Sequence, residues 1–203
     1  MEIAMVRIRL NKTYGRVRSA AIRKSKIIFA CTLQDMITRF GGSYAGYLIA
    51  IAWPLCHLFG ILLSYTFFHR AIPVGDDPAI FAGTGLLPYI ICLYPARVMA
   101  LTLVQNKPLL QFTIVSPLDI IAARIILETV NAICVTVLFF FIIYIFGSDV
   151  IPLNLYESFY AVLATIFLGI GMGVNNIIIV SMFGVGGLIA FIICMIGLYI
   201  TSG

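Results

Sequence analysis

Ionisable side chains are scarce in this sequence. Asp, Glu, Lys and Arg make up 10% of the 203 residues, and only two residues are histidine, His57 and His69. These two lie twelve residues apart, with no carboxylate or cysteine at metal-ligand spacing. No combination of serine, histidine and carboxylate indicates a catalytic triad. We therefore expect no catalytic residue, no metal site and no cofactor-binding residue in this chain.

A phosphate-binding GxxxxGK[ST] loop is also absent from the sequence. The chain therefore has no motif of its own for binding ATP with its magnesium. The five cysteines are odd in number and dispersed, which does not fit a redox or zinc motif. We interpret them as small buried hydrophobic residues.

Apolar residues, in contrast, are abundant: they form 62% of the chain, and the mean hydropathy is +1.11. A bilayer core about 30 Å thick requires about 20 apolar residues per helix. Residues 47–68, 78–96 and 129–148 are uncharged runs of about that length, and residues 158–203 are uncharged over roughly twice that length. The last run must therefore fold back on itself, and its glycines mark the expected turn: Gly184, Gly186 and Gly187.

The sequence predicts an all-α integral membrane protein with two parts. Residues 1–45 form a basic segment, and within it residues 23–40 alternate apolar and charged residues at helical spacing. We expect an amphipathic helix on the membrane surface there, ended by Gly41 and Gly42, with Ser43 capping the next helix. Residues 46–203 form a transmembrane domain with about five spans, at 46–68, 79–104, 119–147, 157–182 and 187–203.

The positive charges predict the orientation of the chain. Nine of the thirteen Lys and Arg residues precede the first span, and such segments stay in the cytoplasm. We expect residues 69–77 and 147–157 outside and residues 105–117 inside. A basic segment beside a membrane more often binds anionic lipid than nucleic acid, so lipid is its expected partner.

The predicted inner segment, residues 105–117, is apolar at its centre. Leu109, Leu110, Phe112 and Ile114 would have little use in a solvated loop. Two interpretations remain open: a docking surface for another protein, or a stretch that dips into the headgroup layer.

A few polar residues interrupt the predicted spans. Arg97, near two prolines in the second span, either extends to the headgroups or lines a polar conduit. Arg124 and Glu128 lie four residues apart and can pair on one helix face. Asn175 and Asn176 are suited to bridging helices.

Four segments resemble the membrane permeases of ABC-2 type exporters for capsular polysaccharide and related surface polymers. Trp53 departs from the pattern, because the family usually has an acidic residue there. The most specific match is the third of these segments, whose polar and apolar positions both agree. The segments are RFGGSYAGYLIAIAWPLCHL at 39–58, TGLLPY at 84–89, NKPLLQFTIVSPLDIIAARIILE at 106–128, and SMF at 181–183 followed by LYITSG at 198–203.

The resemblance implies a multi-pass permease in the bacterial inner membrane that is not itself an enzyme. Such permeases form homodimers and recruit two ATP-binding subunits, which hydrolyse ATP, and periplasmic or outer-membrane export proteins extend the set of expected partners. The coupling segment to the ATPase would lie between the second and third spans. Its expected residues are Lys107, Leu109, Leu110, Gln111 and Phe112.

A polysaccharide path needs aromatic rings that pack on sugar C–H faces and polar groups that bind hydroxyls. The expected path residues are Tyr44, Tyr47, Trp53, Tyr65, Tyr89, Tyr94 and Arg97. The same Tyr and Trp residues would also suit the interface of any membrane protein.

Several alternatives remain open on the sequence. Export of O-antigen, teichoic acid or a small molecule belongs to the same class of function, whereas a membrane-embedded glycan or lipid transferase belongs to another. Family members have six spans, so with about five we expect a truncated product or a fragment, and a non-transporting remnant is a further alternative.

Overall fold

The computed structural model describes residues 2–41, 44–68 and 77–202. These residues form helices and connecting turns, with no strand among them. Four helices, α2, α3, α5 and α6, are long and apolar enough to cross a membrane, and α7 has a shorter apolar stretch. The predicted all-α membrane fold is therefore confirmed. The elements are α1 (Glu2–Phe40), α2 (Tyr44–Phe67), α3 (Pro78–Met99), α4 (Thr102–Gln105), a 3-10 helix (Lys107–Gln111), α5 (Pro117–Ile145), α6 (Leu155–Phe183) and α7 (Val185–Ser202).

The starts of the spans are set by capping residues. Asp77 accepts a hydrogen bond of 2.7 Å from the backbone N–H of Ala79 at the start of α3. Ser116 and Asp119 form a capping box at the start of α5, in which each side chain accepts from the other's backbone N–H. Pro78 and Pro117 occupy the first helical positions, where a missing N–H costs no hydrogen bond.

Glycines end two of the helices. Gly41 follows α1 with a φ of +65°, and Gly184 separates α6 from α7 with the same φ. A residue with a Cβ is strained in this conformation, so glycine is the residue suited to both turns. The turn predicted near Gly184 is confirmed, whereas Gly42 and Ser43 lie outside the described residues.

The helix α3 is at the centre of the bundle. Half of its most apolar stretch is buried inside the protein, against 28% for α2 and for α6. It packs along α6 at two glycines, because a Cβ on Gly169 would lie 3.0 Å from the carbonyl oxygen of Ile91, and one on Gly173 would lie 2.6 Å from Met99 Sδ. Small residues four apart allow two membrane helices to approach closely. The α3–α6 contact therefore depends on backbone proximity.

The helix α1 packs against the first turns of α5. Cys31 is buried against Ile120 and Ala123, and this burial raises the pKa of the Cys31 thiol. Exposed apolar side chains follow another stripe of α1, at Phe29 and Leu33. The helix is longer than the predicted 23–40, and its position on a membrane surface stays a prediction.

The two predicted outer loops meet at one end of the bundle. A hydrogen bond from Ser148 holds the pKa of the Asp77 carboxyl below its usual range, so the start of α3 and the loop after α5 adjoin. The second span, predicted to reach residue 104, ends at Met99, and a turn leads into α4. Residues 69–76 lie outside the described part of the chain, and the predicted orientation across the membrane is not decided by the fold.

Candidate functional site

A cavity of about 570 Å³ lies between α2, α3 and α5. Most of its wall is apolar or glycine, and five lining residues carry aromatic or polar groups. Cavities of about 300–1,000 Å³ with a few polar groups in an apolar wall are typical ligand sites. The five residues are Trp53, Tyr94, Arg97, Glu128 and Asn131.

Aromatic side chains from two helices form one part of this wall. Trp53 of α2 is 64% exposed, so its indole is available to the cavity and to its surroundings. The Tyr94 hydroxyl of α3 lies 3.0 Å from His57 Nδ1, and the two rings meet edge to face with centroids 6.0 Å apart. His57 therefore orients Tyr94, a role that its sequence position did not indicate.

Three of the seven predicted path residues line the cavity: Trp53, Tyr94 and Arg97. Tyr47 packs instead against the main apolar core, and Tyr65 packs near Leu62 in a separate cluster. Tyr89 donates a hydrogen bond of 3.4 Å to the Met195 carbonyl and so connects α3 to α7. The side chain of Tyr44 lies outside the described residues.

Beside the cavity, a buried guanidinium joins three parts of the chain. Arg124 of α5 is fully buried. Its Nη2 lies 3.0 Å from Asp35 Oδ1 of α1 and donates a hydrogen bond of 3.1 Å to Gln105 Oε1. Its Nη1 lies 3.9 Å from Glu128 Oε1, which confirms the predicted pairing on one helix face. We name Asp35, Arg124 and Glu128 the charged triad.

Sequence reasoning missed Asp35 as a member of this triad. The pairing connects positions 89 apart in the sequence, on different helices. One signal was available: Asp35 and Glu2 are the only acidic residues of the otherwise basic α1. A buried carboxylate needs an opposite charge or hydrogen-bond donors, and Asp35 is 5% exposed.

A second ion pair holds α1 against the start of α5. Lys24 Nζ lies 2.7 Å and 2.9 Å from the two carboxylate oxygens of Asp119. Asp119 is also the capping-box residue, so the same carboxylate caps the start of α5 and binds α1. Lys24 is 52% exposed, and solvent screening makes its contribution to stability small.

The predicted coupling segment lies at this same end of the bundle. Lys107, Gln111 and Phe112 are exposed, while Leu109 and Leu110 are half-buried. The two leucines pack on the cluster around Cys31 and therefore hold the segment in place. Phe112 of this segment is 59% exposed, and Ile114, two residues after it, is 69% exposed.

The coupling segment is tied to the charged triad by the residue that precedes it. Asn106 donates a hydrogen bond of 3.0 Å to the Thr102 carbonyl and lies 3.5 Å from Asp35 Oδ1. Gln105 binds Arg124 directly. The two residues that precede the coupling segment, Gln105 and Asn106, therefore contact Arg124 and Asp35 of the charged triad.

Elsewhere in the described residues, Asn176 donates a hydrogen bond of 3.1 Å to the Ala96 carbonyl. This contact confirms that Asn176 bridges helices, whereas Asn175 is exposed. A second cavity of about 500 Å³ lies between α3, α6 and the loop after α5, and it contains none of the predicted site residues. No three metal-ligating side chains cluster among the residues that the structure describes.

Four long apolar helices, a mostly apolar cavity with a few polar groups between three of them, and a buried charged triad define a polytopic α-helical membrane protein. Comparison with known proteins relates it to polysaccharide transport. Two Escherichia coli proteins named polysialic acid transport protein KpsM are 34% and 32% identical over 121 and 120 residues, each covering 59% of this chain and 46% of the relative.

A third relative is the capsule polysaccharide export inner-membrane protein CtrC of Neisseria meningitidis serogroup B. It is 27% identical over 155 residues, which cover 76% of this chain and 58% of the relative. The chain thus spans about half the length of the curated relatives that it matches. No family model matches the sequence.

Proposed function

We propose that this chain is the membrane-spanning permease of an ATP-driven exporter that moves capsular or a related surface polysaccharide across the bacterial inner membrane. The observation that carries the proposal is its similarity to three proteins named for polysialic acid transport or capsule polysaccharide export. The apolar helices and the aromatic cavity agree with a path through a membrane.

In this proposal the cavity between α2, α3 and α5 is part of the polymer path. Trp53 and Tyr94 supply ring faces for the C–H faces of sugars, and Arg97 and Asn131 supply polar contacts. Exposed α2 residues outside the cavity, such as Leu48 and Leu63, would then meet a second copy of the chain or lipid. Two copies of the permease, with the path built by both, are part of the proposal.

Energy for transport would come from two ATP-binding subunits that dock at the end of the bundle where α1 meets α5. The exposed pair Phe112 and Ile114 offers an apolar docking surface there. Motion at this surface would reach the cavity through Gln105, Arg124 and Glu128, which are in direct contact.

Complementation of a deletion strain tests the proposed function. We expect the surface polysaccharide to disappear from the cell exterior and to accumulate inside when the gene is deleted. We expect the intact gene, expressed from a plasmid, to restore it. Polymer at the surface would be measured by antibody or dye binding to intact cells. Undiminished surface polysaccharide in the deletion strain would contradict the proposal.

Docking of the ATPase is tested at Phe112. We expect Phe112→Glu to reduce co-purification of the ATP-binding subunit by about tenfold or more, because a charge replaces an apolar anchor at an interface centre. Phe112→Leu keeps an apolar side chain and serves as the control, with near-normal recovery. Because Leu109 and Leu110 pack inside the protein, they are unsuitable for this test. Equal recovery of the subunit with both variants would place the docking surface elsewhere.

A further inference from the structure

One residue that lines the cavity carries an unexplained polar atom. Asn131 Oδ1 is buried and has no hydrogen-bond partner among the described residues, and Asn131 lines the cavity. A buried acceptor without a donor is unfavourable, so such atoms normally meet a protein donor, water or a ligand. Asn131 lies fourteen residues after Pro117, or about 21 Å along α5, well inside a bilayer core of about 30 Å.

Glu128, one helical turn before Asn131, places a second acceptor in the same wall. Arg124 lies 3.9 Å from its Oε1 and holds the carboxylate in the charged triad. The Trp53 ring lines the cavity from α2. Two residues with oxygen acceptors and one tryptophan line the same cavity. These side chains match the chemistry of a sugar ring, which has donor hydroxyls at its edge and C–H groups on its faces.

A hydrocarbon chain fits these residues less well. It would leave Asn131 Oδ1 without a donor and would bury Glu128 against a medium that cannot form hydrogen bonds. Polar residues at this depth of a membrane protein commonly mark a substrate pathway. The geometry therefore favours a ligand rich in hydroxyl groups over a lipid tail.

We propose that Asn131 and Glu128 form a hydroxyl-binding subsite, in which one sugar ring of the polymer packs on Trp53 and donates hydrogen bonds to both acceptors. The identity of the ligand as a segment of exported polysaccharide rests on the proposed function. The placement of Asn131 and Glu128 in one site does not rest on the proposed function, because both residues are on α5 and both line the same cavity.

Trp53 is the only tryptophan in the chain, so its fluorescence reports directly on this cavity. The purified protein in detergent would be titrated with oligosaccharide fragments cleaved from the host's own surface polysaccharide. We expect a saturable change in the Trp53 emission. Asn131→Leu and Asn131→Ala both remove the acceptor, and we expect each to weaken the apparent affinity by about tenfold or more.

Asn175→Leu is the matched control, because it makes the same chemical change on an exposed face of α6. It should bind the fragments with the affinity of the wild type. Asn131→Ala controls for misfolding of Asn131→Leu, because alanine adds no bulk to the cavity wall. The subsite would be refuted by a wild-type protein whose emission does not saturate, or by Asn131 variants that bind as tightly as the wild type.

Export in the complemented deletion strain separates this proposal from the proposed function. Restoration by the wild type and not by Asn131→Leu would support both. Equal restoration by the two chains would overturn the subsite and leave the exporter intact. A wild-type chain without effect on surface polysaccharide would contradict the exporter, and the fluorescence titration would still decide whether fragments bind at Asn131.

Discussion

Replacing Arg124 with methionine is expected to destabilise the protein by about 3–5 kcal/mol, the usual effect of removing one partner from a buried ion pair. The substitution would leave the carboxylates of Asp35 and Glu128 buried without their shared cation. It would also remove the hydrogen bond to Gln105. The measurement is the thermal unfolding of the detergent-purified protein. Unfolding is monitored as the fraction of protein that remains monodisperse after heating.

Two comparisons make this prediction specific to the charged triad. Arg97→Met is the matched control, because Arg97 is exposed and its replacement should change the unfolding temperature little. Replacing the whole triad, as Asp35→Leu, Arg124→Met and Glu128→Leu together, should recover most of the lost stability, since no charge is left buried. An Arg124→Met protein that unfolds like the wild type would show that the triad does not hold α1 to α5.

The triple variant, in which Asp35, Arg124 and Glu128 are all replaced by apolar residues and which we name the apolar triad, also distinguishes an effect on stability from an effect on transport. If the triad transmits motion from the ATPase end to the cavity, the apolar triad should fold and still fail to export polymer. Export at the wild-type level by this variant would limit the triad to a structural role. Export of this variant is measured in the complemented deletion strain, and its stability is measured by thermal unfolding.

The second large effect is expected at the α3–α6 contact. Gly169→Leu and Gly173→Leu each add a side chain where the partner helix leaves no room, and we expect a loss of about 1–3 kcal/mol or more for each. At Gly169 the obstacle is the backbone of Ile91 and Cys92, which cannot move without shifting α3. At Gly173 a Cβ would lie 2.9 Å from the Cβ of Met99 as well as 2.6 Å from its sulfur.

Gly171→Leu is the control for both substitutions. It lies between the other two glycines on α6, and a Cβ at that position meets no atom within 4 Å. The helix propensity gained on replacing glycine is the same in all three variants. We therefore expect Gly171→Leu to be neutral or slightly stabilising in thermal unfolding, and a loss equal to that of Gly173→Leu would refute close packing as the cause.

Several features of the fold follow from short-range patterns in the sequence. The uncharged runs predicted helices that span a membrane, and the glycines near 184 predicted the turn between α6 and α7. Arg124 and Glu128 were predicted to pair because a separation of four residues places them on one helix face. Each of these inferences uses only neighbours along the chain.

The candidate site was predictable in part for the same reason. The aromatic content of α2 and α3 pointed to Trp53 and Tyr94, but it pointed equally to Tyr47, Tyr65 and Tyr89. Only the packing of α2 against α3 and α5 separates the cavity residues from those in the core. Nothing in the sequence distinguished Asn131. Its side chain was selected because its Oδ1 has no hydrogen-bond partner among the described residues, and this can be recognised only in three dimensions.

The sequence by itself determined that this protein is a bundle of membrane helices preceded by a basic helix, because hydropathy and charge are properties of each segment alone. Tertiary structure alone decided that Asp35 of α1 meets Arg124 of α5, and that Trp53, Glu128 and Asn131 surround one cavity. Those contacts join residues that are distant in the chain, and helix packing, not spacing along the chain, brings them together.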